Sequence, residues 1–197
     1  MSAPTILDLG PAARAVAAVV TAIPDDRLGD PTPCDDMTVA ALLHHLYGLA
    51  WAFRAAAEKD PAAADAAPQA SADDLPADWR TAIPARLDAL AEAWRDPAAW
   101  AGTTGVGGMQ LPGEAAGTIT ADELVLHGWD LAAATGQVFT PDPDAVAAVL
   151  AFTQMMSGPE HDASRDGLFG PVVAVPETAP PLERALGYSG RDPQWAP

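Results

Sequence analysis

The sequence predicts a mostly helical fold of one domain, and three observations carry that expectation. Apolar residues recur at helical rather than alternating spacing in several separate stretches. Helix start and stop signals flank those stretches, and strand signals are few. The 197 residues, 49% of them hydrophobic, suffice for one sizeable core.

The first helix is expected from about Asp8 to Ile23, with Val16, Val19, Val20 and Ile23 on one face and Pro24-Asp25-Asp26 closing it. Thr32-Pro33-Cys34-Asp35-Asp36 reads as a turn feeding a second helix, near Met37 to Glu58. Acidic side chains in that first turn suit the positive end of the helix dipole. Val39, Leu42, Leu43, Leu46, Leu49, Ala50 and Phe53 form its apolar stripe. Asp60 to Ala77 holds little to bury and reads as a surface loop. A third helix is expected from about Trp79 to Arg95, with Pro84 either starting it or bending it. Ala99 to Gly117 is glycine-rich and reads as a loop or irregular hairpin. A fourth helix follows from near Thr120 to a Gly136 cap, and a fifth from Asp142-Pro143 to Met156. The Pro- and Gly-punctuated tail holds an extended Val172 to Val175 and a short helical piece near Leu182 to Leu186.

A formal charge of −17, from 27 acidic and 10 basic residues, argues against a nucleic-acid or anionic-membrane partner. No apolar run approaches the roughly 20 residues that span a bilayer. Asp8 and Arg14 interrupt what would be a targeting segment, so a soluble cytoplasmic protein is expected. Cys34 is the single cysteine, which excludes an intramolecular disulfide and a thiolate cluster.

The most informative motif is Glu123 and His127, four residues apart in T-A-D-E-L-V-L-H-G-W-D. On a helix the pair is about 40° apart in azimuth and about 6 Å along the axis, so both can reach one metal ion. His45 on the second helix is the candidate third ligand. It sits at the edge of the apolar stripe, about 80° from its centre, whereas His44 points about 180° away. Two imidazoles and one carboxylate leave coordination positions open, as catalytic metals require. Asp130 falls on the same face and is a candidate partner for the outer ring nitrogen of His127.

Plainer roles stand beside each of these. Thr120-Ala121-Asp122-Glu123 matches a capping box, Asp130 suits a solvated helix charge, and a histidine at a core edge is commonly structural. His161 reads as a loop residue. Cys34 reads as a buried packing thiol at the helix entry, because eleven residues of continuous helix would put it about 16 Å from His45. No phosphate loop, zinc-protease signature, nucleophile elbow or dinucleotide fingerprint is present.

The segments P-T-P-C-D-D-M-T-V-A-A-L-L-H-H-L (31–46) and E-L-V-L-H-G-W-D-L-A-A-A-T-G (123–136) resemble the actinobacterial DinB-like metal-binding family. That family is related to the N-terminal domain of mycothiol-dependent maleylpyruvate isomerase. The tail pieces 169–176 and 186–193 resemble the endings of its shorter members. The resemblance implies an all-α, DinB-like four-helix bundle with an additional short helix and an irregular tail. It also implies a divalent metal held by His45, Glu123 and His127. Met37 stands where the family motif usually carries Trp, and the chain lacks room for the isomerase's separate C-terminal domain. The isomerase reaction itself is therefore not expected.

The expected function is a metal-dependent S-transferase that joins a small-molecule thiol of the mycothiol type to an electrophilic substrate. The same ligands also permit a metal-activated hydrolase or a non-catalytic metal- or small-molecule-binding protein. Zinc leads as the ion, and nickel, iron or manganese suit the same donors. Exposed helical faces would suit pairing in a homodimer.

Overall fold

The computed structural model describes residues 6–34, 37–61, 68–161, 165 and 168–197. The chain folds into α1 (Gly10–Ala22), α2 (Val39–Ala57), α3 (Trp79–Ala93), α4 (Pro97–Trp100), β1 (Thr103–Val106), β2 (Met109–Pro112), α5 (Gly113–Thr135), α6 (Pro143–Met156) and α7 (Pro181–Tyr188). Helices α1, α3, α2 and α5 pack in that order around a ring, so α1 lies diagonal to α2. This is the expected four-helix bundle. Helix α6 packs on the outer face of α5, and α7 packs on α6.

Apolar side chains of all four helices fill the bundle centre. Val16 and Val20 of α1, Leu42, Leu43 and Leu46 of α2, Ile83 and Leu87 of α3, and Leu124 and Leu131 of α5 are all buried. Thr38 caps α2 by accepting a hydrogen bond from the Ala41 N–H, at 3.3 Å. Asp142 likewise caps α6 through the Asp144 and Ala145 N–H groups. The acidic turn expected at Asp35-Asp36 lies outside the described residues, as do 62–67 of the expected surface loop. Pro84 lies inside α3 rather than at its start.

The glycine-rich stretch holds the expected hairpin in part and is corrected in its last residues. Its first part is an antiparallel hairpin, with Val106 paired to Met109 across Gly107-Gly108. Both turn glycines have positive φ, 59° and 79°, as a tight two-residue hairpin turn demands. Its last part is helix. The α5 helix begins at Gly113, seven residues before Thr120, and runs to a left-handed Gly136 at its C-terminus. Gly113 and Gly117 are packing glycines: a Cβ at Gly113 would sit 2.6 Å from the Ala99 carbonyl oxygen, and one at Gly117 would strike the Trp100 ring. Close approach of α4 to α5 requires glycine there, and glycine is tolerated because the tertiary contact outweighs its low helix propensity.

No helix among the described residues is long and apolar enough to cross a membrane.

Candidate functional site

Because α5 starts at Gly113, Thr120 and Glu123 are mid-helix residues. Thr120 donates its hydroxyl to the Ala116 carbonyl at 2.8 Å, and no capping box exists. Glu123 is thereby released for another role. Neighbouring helices α2 and α5 bring His45, Glu123 and His127 together, with one donor atom from each lying within 4.8 Å of the others. The His127 Nε2 is 2.9 Å from Glu123 Oε2, and the His45 and His127 rings meet edge to face at 5.3 Å between centroids. His45 and Glu123 are half-buried, and His127 is buried.

The other side of the His127 ring is held by Asp130. Its Oδ2 lies 3.0 Å from His127 Nδ1, and the carboxylate is fully buried rather than solvated. Asp130 is in turn gripped from the far end of the chain. Arg191, three residues past α7, donates from Nε to Asp130 Oδ1 and from Nη2 to Oδ2, each at 2.8 Å. Arg191 also donates to Ser189 Oγ at 3.2 Å. The result is a relay from tail to site: Arg191 to Asp130 to His127. Sequence reading found Asp130 by helical phase but gave no role to Arg191, one of three arginines in the Gly/Pro-rich tail and part of the piece 186–193.

Cys34 also corrects the sequence reading. It precedes α2 on a turn stapled by Thr32, whose hydroxyl lies 3.1 Å from the Cys34 carbonyl and 2.9 Å from that of Met37. The distance along a continuous helix therefore does not apply. Cys34 is half-buried, and its sulfur shares a 4.8 Å cluster with donor atoms of His127 and Asp130. His44 turns away from the trio and accepts the Ser71 N–H at 3.2 Å. His161 lies in a short 3₁₀ turn, Pro159–His161.

Electrostatics among these side chains reflect the crowding of titratable groups. Burial disfavours the His127 imidazolium, but hydrogen bonds to Asp130 and Glu123 and their charges outweigh it and raise its pKa to about 9. Burial and the neighbouring His127 charge lower the His45 pKa. Burial would raise Glu123, yet the hydrogen bond and positive charge of His127 hold it below the ordinary carboxylate value. Asp122, one residue before Glu123, is pushed well above that value by burial and by the Glu123 charge.

Two buried polar atoms here find no hydrogen-bond partner among the described residues: His45 Nδ1 and Asp122 Oδ1. Orphaned polar atoms of this kind call for an explanation. A ring nitrogen without a partner, beside a carboxylate and a second imidazole, is the donor set a divalent cation fits. His45, Asp122 and Glu123 lie in the wall of a cavity of about 390 Å³ whose other lining is apolar and includes Leu49, Phe53, Ile119 and Phe152.

The fold and this cluster define a class: a helical bundle with a two-histidine, one-carboxylate set opening onto an apolar cavity. The chain belongs to the mycothiol maleylpyruvate isomerase N-terminal domain family, whose model matches residues 9–132 and so includes all three side chains. An uncharacterised protein of Mycobacterium tuberculosis, found in two strains, is 28% identical over 182 residues, covering 90% of this chain and 92% of the relative. The crystal structure of the mycothiol-dependent maleylpyruvate isomerase shares the fold with a TM-score of 0.55 at 15% identity. That likeness covers 72% of this chain and 65% of the isomerase chain. Arg191 lies beyond the residues the family model matches.

Proposed function

We propose that this chain is a divalent-metal-dependent S-transferase that joins a low-molecular-weight thiol, of the mycothiol type, to a small electrophile. The observation that carries the reading is the convergence of His45, Glu123 and His127, with one donor atom of each within 4.8 Å of the others beside an apolar cavity. The family's name supplies the thiol class. The isomerase's own reaction, on maleylpyruvate, is not carried over.

His45, Glu123 and His127 would hold the ion, with zinc the first choice. Such an ion, when bound, supplies Lewis acidity that lowers the pKa of a thiol brought to it. The chain's own residues do the rest. Asp130 accepts the Nδ1 proton of His127, which fixes the tautomer and leaves the Nε2 lone pair facing Glu123 and His45. Arg191 fixes Asp130. The apolar cavity wall excludes water and orients the electrophile. In the transfer, sulfur forms a bond to the electrophilic carbon, the leaving group departs with its bonding pair, and the thiol proton passes to solvent.

The test is metal content by mass spectrometry of tag-free protein, wild type beside His45→Ala, Glu123→Ala and His127→Ala. About one ion per chain, lost in all three variants, with turnover that requires added thiol, is the expected result. Turnover without thiol would replace the transferase by a hydrolase. Stoichiometric metal with no turnover would leave a binding protein. No metal after reconstitution with several divalent ions would overturn the reading altogether.

A further inference from the structure

We propose that the cavity beside His45 and Glu123 receives an uncharged, apolar body, and that substrates carrying a carboxylate or phosphate at that end are rejected. This deepens the reading above by naming the substrate class, and it rests on that reading only for the identity of the reacting end.

Charge and lining set this preference. Among the described residues three polar side chains reach the cavity, His45, Asp122 and Glu123, and two of them are acids. The remaining lining is aliphatic, aromatic or glycine backbone, with Phe53, Phe152, Phe169 and Met109 supplying the bulk. A volume of about 390 Å³ suits a small organic molecule. An anion there would lose its hydration and meet no countercharge on the apolar wall.

Among the described residues, no Lys or Arg side chain forms part of the cavity wall. The sequence has ten Lys and Arg residues, all of them described, and none lines the cavity. Arg165 has its guanidinium carbon 5.4 Å from the centre of the Phe169 ring, and its N–H groups are turned to the Met156, Gly170 and Tyr188 carbonyls. Arg191 is committed to Asp130, Arg86 to the Tyr47 carbonyl and Lys59 to that of Ala99. The stretches outside the described residues contain no Lys or Arg, and their only charged side chains are Asp. A cation on the three ligands would serve the reacting end and leave the far wall as it is.

The test is calorimetric titration of the protein as purified with an unreactive ketone, benzylacetone, and with its para-carboxylate, which puts a charge at the end remote from the carbonyl. The neutral ketone is expected to bind at least about tenfold more tightly, equivalent to about 1.4 kcal/mol. Met109→Arg places a cation on the cavity wall at a position 48% exposed in the hairpin, where folding tolerates it. That variant is expected to narrow the preference by about tenfold or more, by improving the carboxylate. Equal or tighter binding of the carboxylate to wild type, or no binding of either ligand in the millimolar range, overturns the proposal. So does a preference that Met109→Arg leaves unchanged. Binding is read without thiol or turnover, so a failed transferase reading and a failed cavity assignment give different results.

Discussion

Replacing Arg191 by Met tests the relay from the tail to the site. Met keeps most of the stem but removes the guanidinium. Asp130 has no exposed surface, and Arg191 makes two charge-assisted hydrogen bonds to it at 2.8 Å. Removing one partner of a buried ion pair costs about 3–5 kcal/mol, because the other charge stays buried. Asp130 retains His127 Nδ1 at 3.0 Å, which places the loss near the lower end, at about 3 kcal/mol. For a chain of this size that corresponds to a fall in Tm of roughly 6–12 °C. The assay is thermal and urea unfolding of chelator-treated protein, so that metal release does not contribute. Asp130→Asn and the double variant complete a cycle, in which the coupling between the two sites is expected to be at least about 1.5 kcal/mol. Asp130→Asn is further expected to weaken metal affinity by about 10–100-fold, since it disturbs the acceptor behind a metal-binding imidazole. An Arg191→Met protein that melts within about 2 °C of wild type, or a cycle that is additive, refutes the relay.

Three further outcomes are expected. In metal-free protein, the folded-state pKa of His127, about 9, lies above its unfolded value of 6.5. The folded state therefore holds this proton more tightly, and the stabilisation is complete below pH 6.5 and disappears as pH rises through about 9. Urea midpoints of wild type should fall across that window relative to those of His127→Gln; parallel profiles would remove the assignment. Gly128→Ala should destabilise the protein by about 1–2 kcal/mol in urea, because the strain of overpacking exceeds the helix-propensity gain. Its Cβ would lie 2.6 Å from Phe139 Cζ and 2.9 Å from Val16 Cγ2, and a more stable variant would show that these side chains yield freely. Zinc at about a hundred times its dissociation constant should add about 2.7 kcal/mol and raise Tm by roughly 5–11 °C. His45→Ala should abolish that rise, and an equal rise in the variant would move the ion elsewhere.

The sequence by itself determined what depends on local periodicity. The extents of α2 and α6 were legible within a few residues, as was the short α7, because the 3.6-residue repeat and the capping residues act over one or two turns. Glu123, His127 and Asp130 could be put on one helical face for the same reason. The start of α5 was not legible, because Gly113 and Gly117 look like loop residues until the Ala99 and Trp100 groups that press on them are in place. That boundary decides the role of Glu123: a helix beginning at Thr120 would use it as a cap, and one beginning at Gly113 turns it toward the histidines. Helical phase placed His45 at the edge of its stripe, but which side chains surround it depended on how α2 packs against α5. Arg191 and Cys34 lay further still from sequence reasoning. Each approaches the site from an irregular segment whose path is set by tertiary packing, and spacing along the chain carries no information about where such a segment returns.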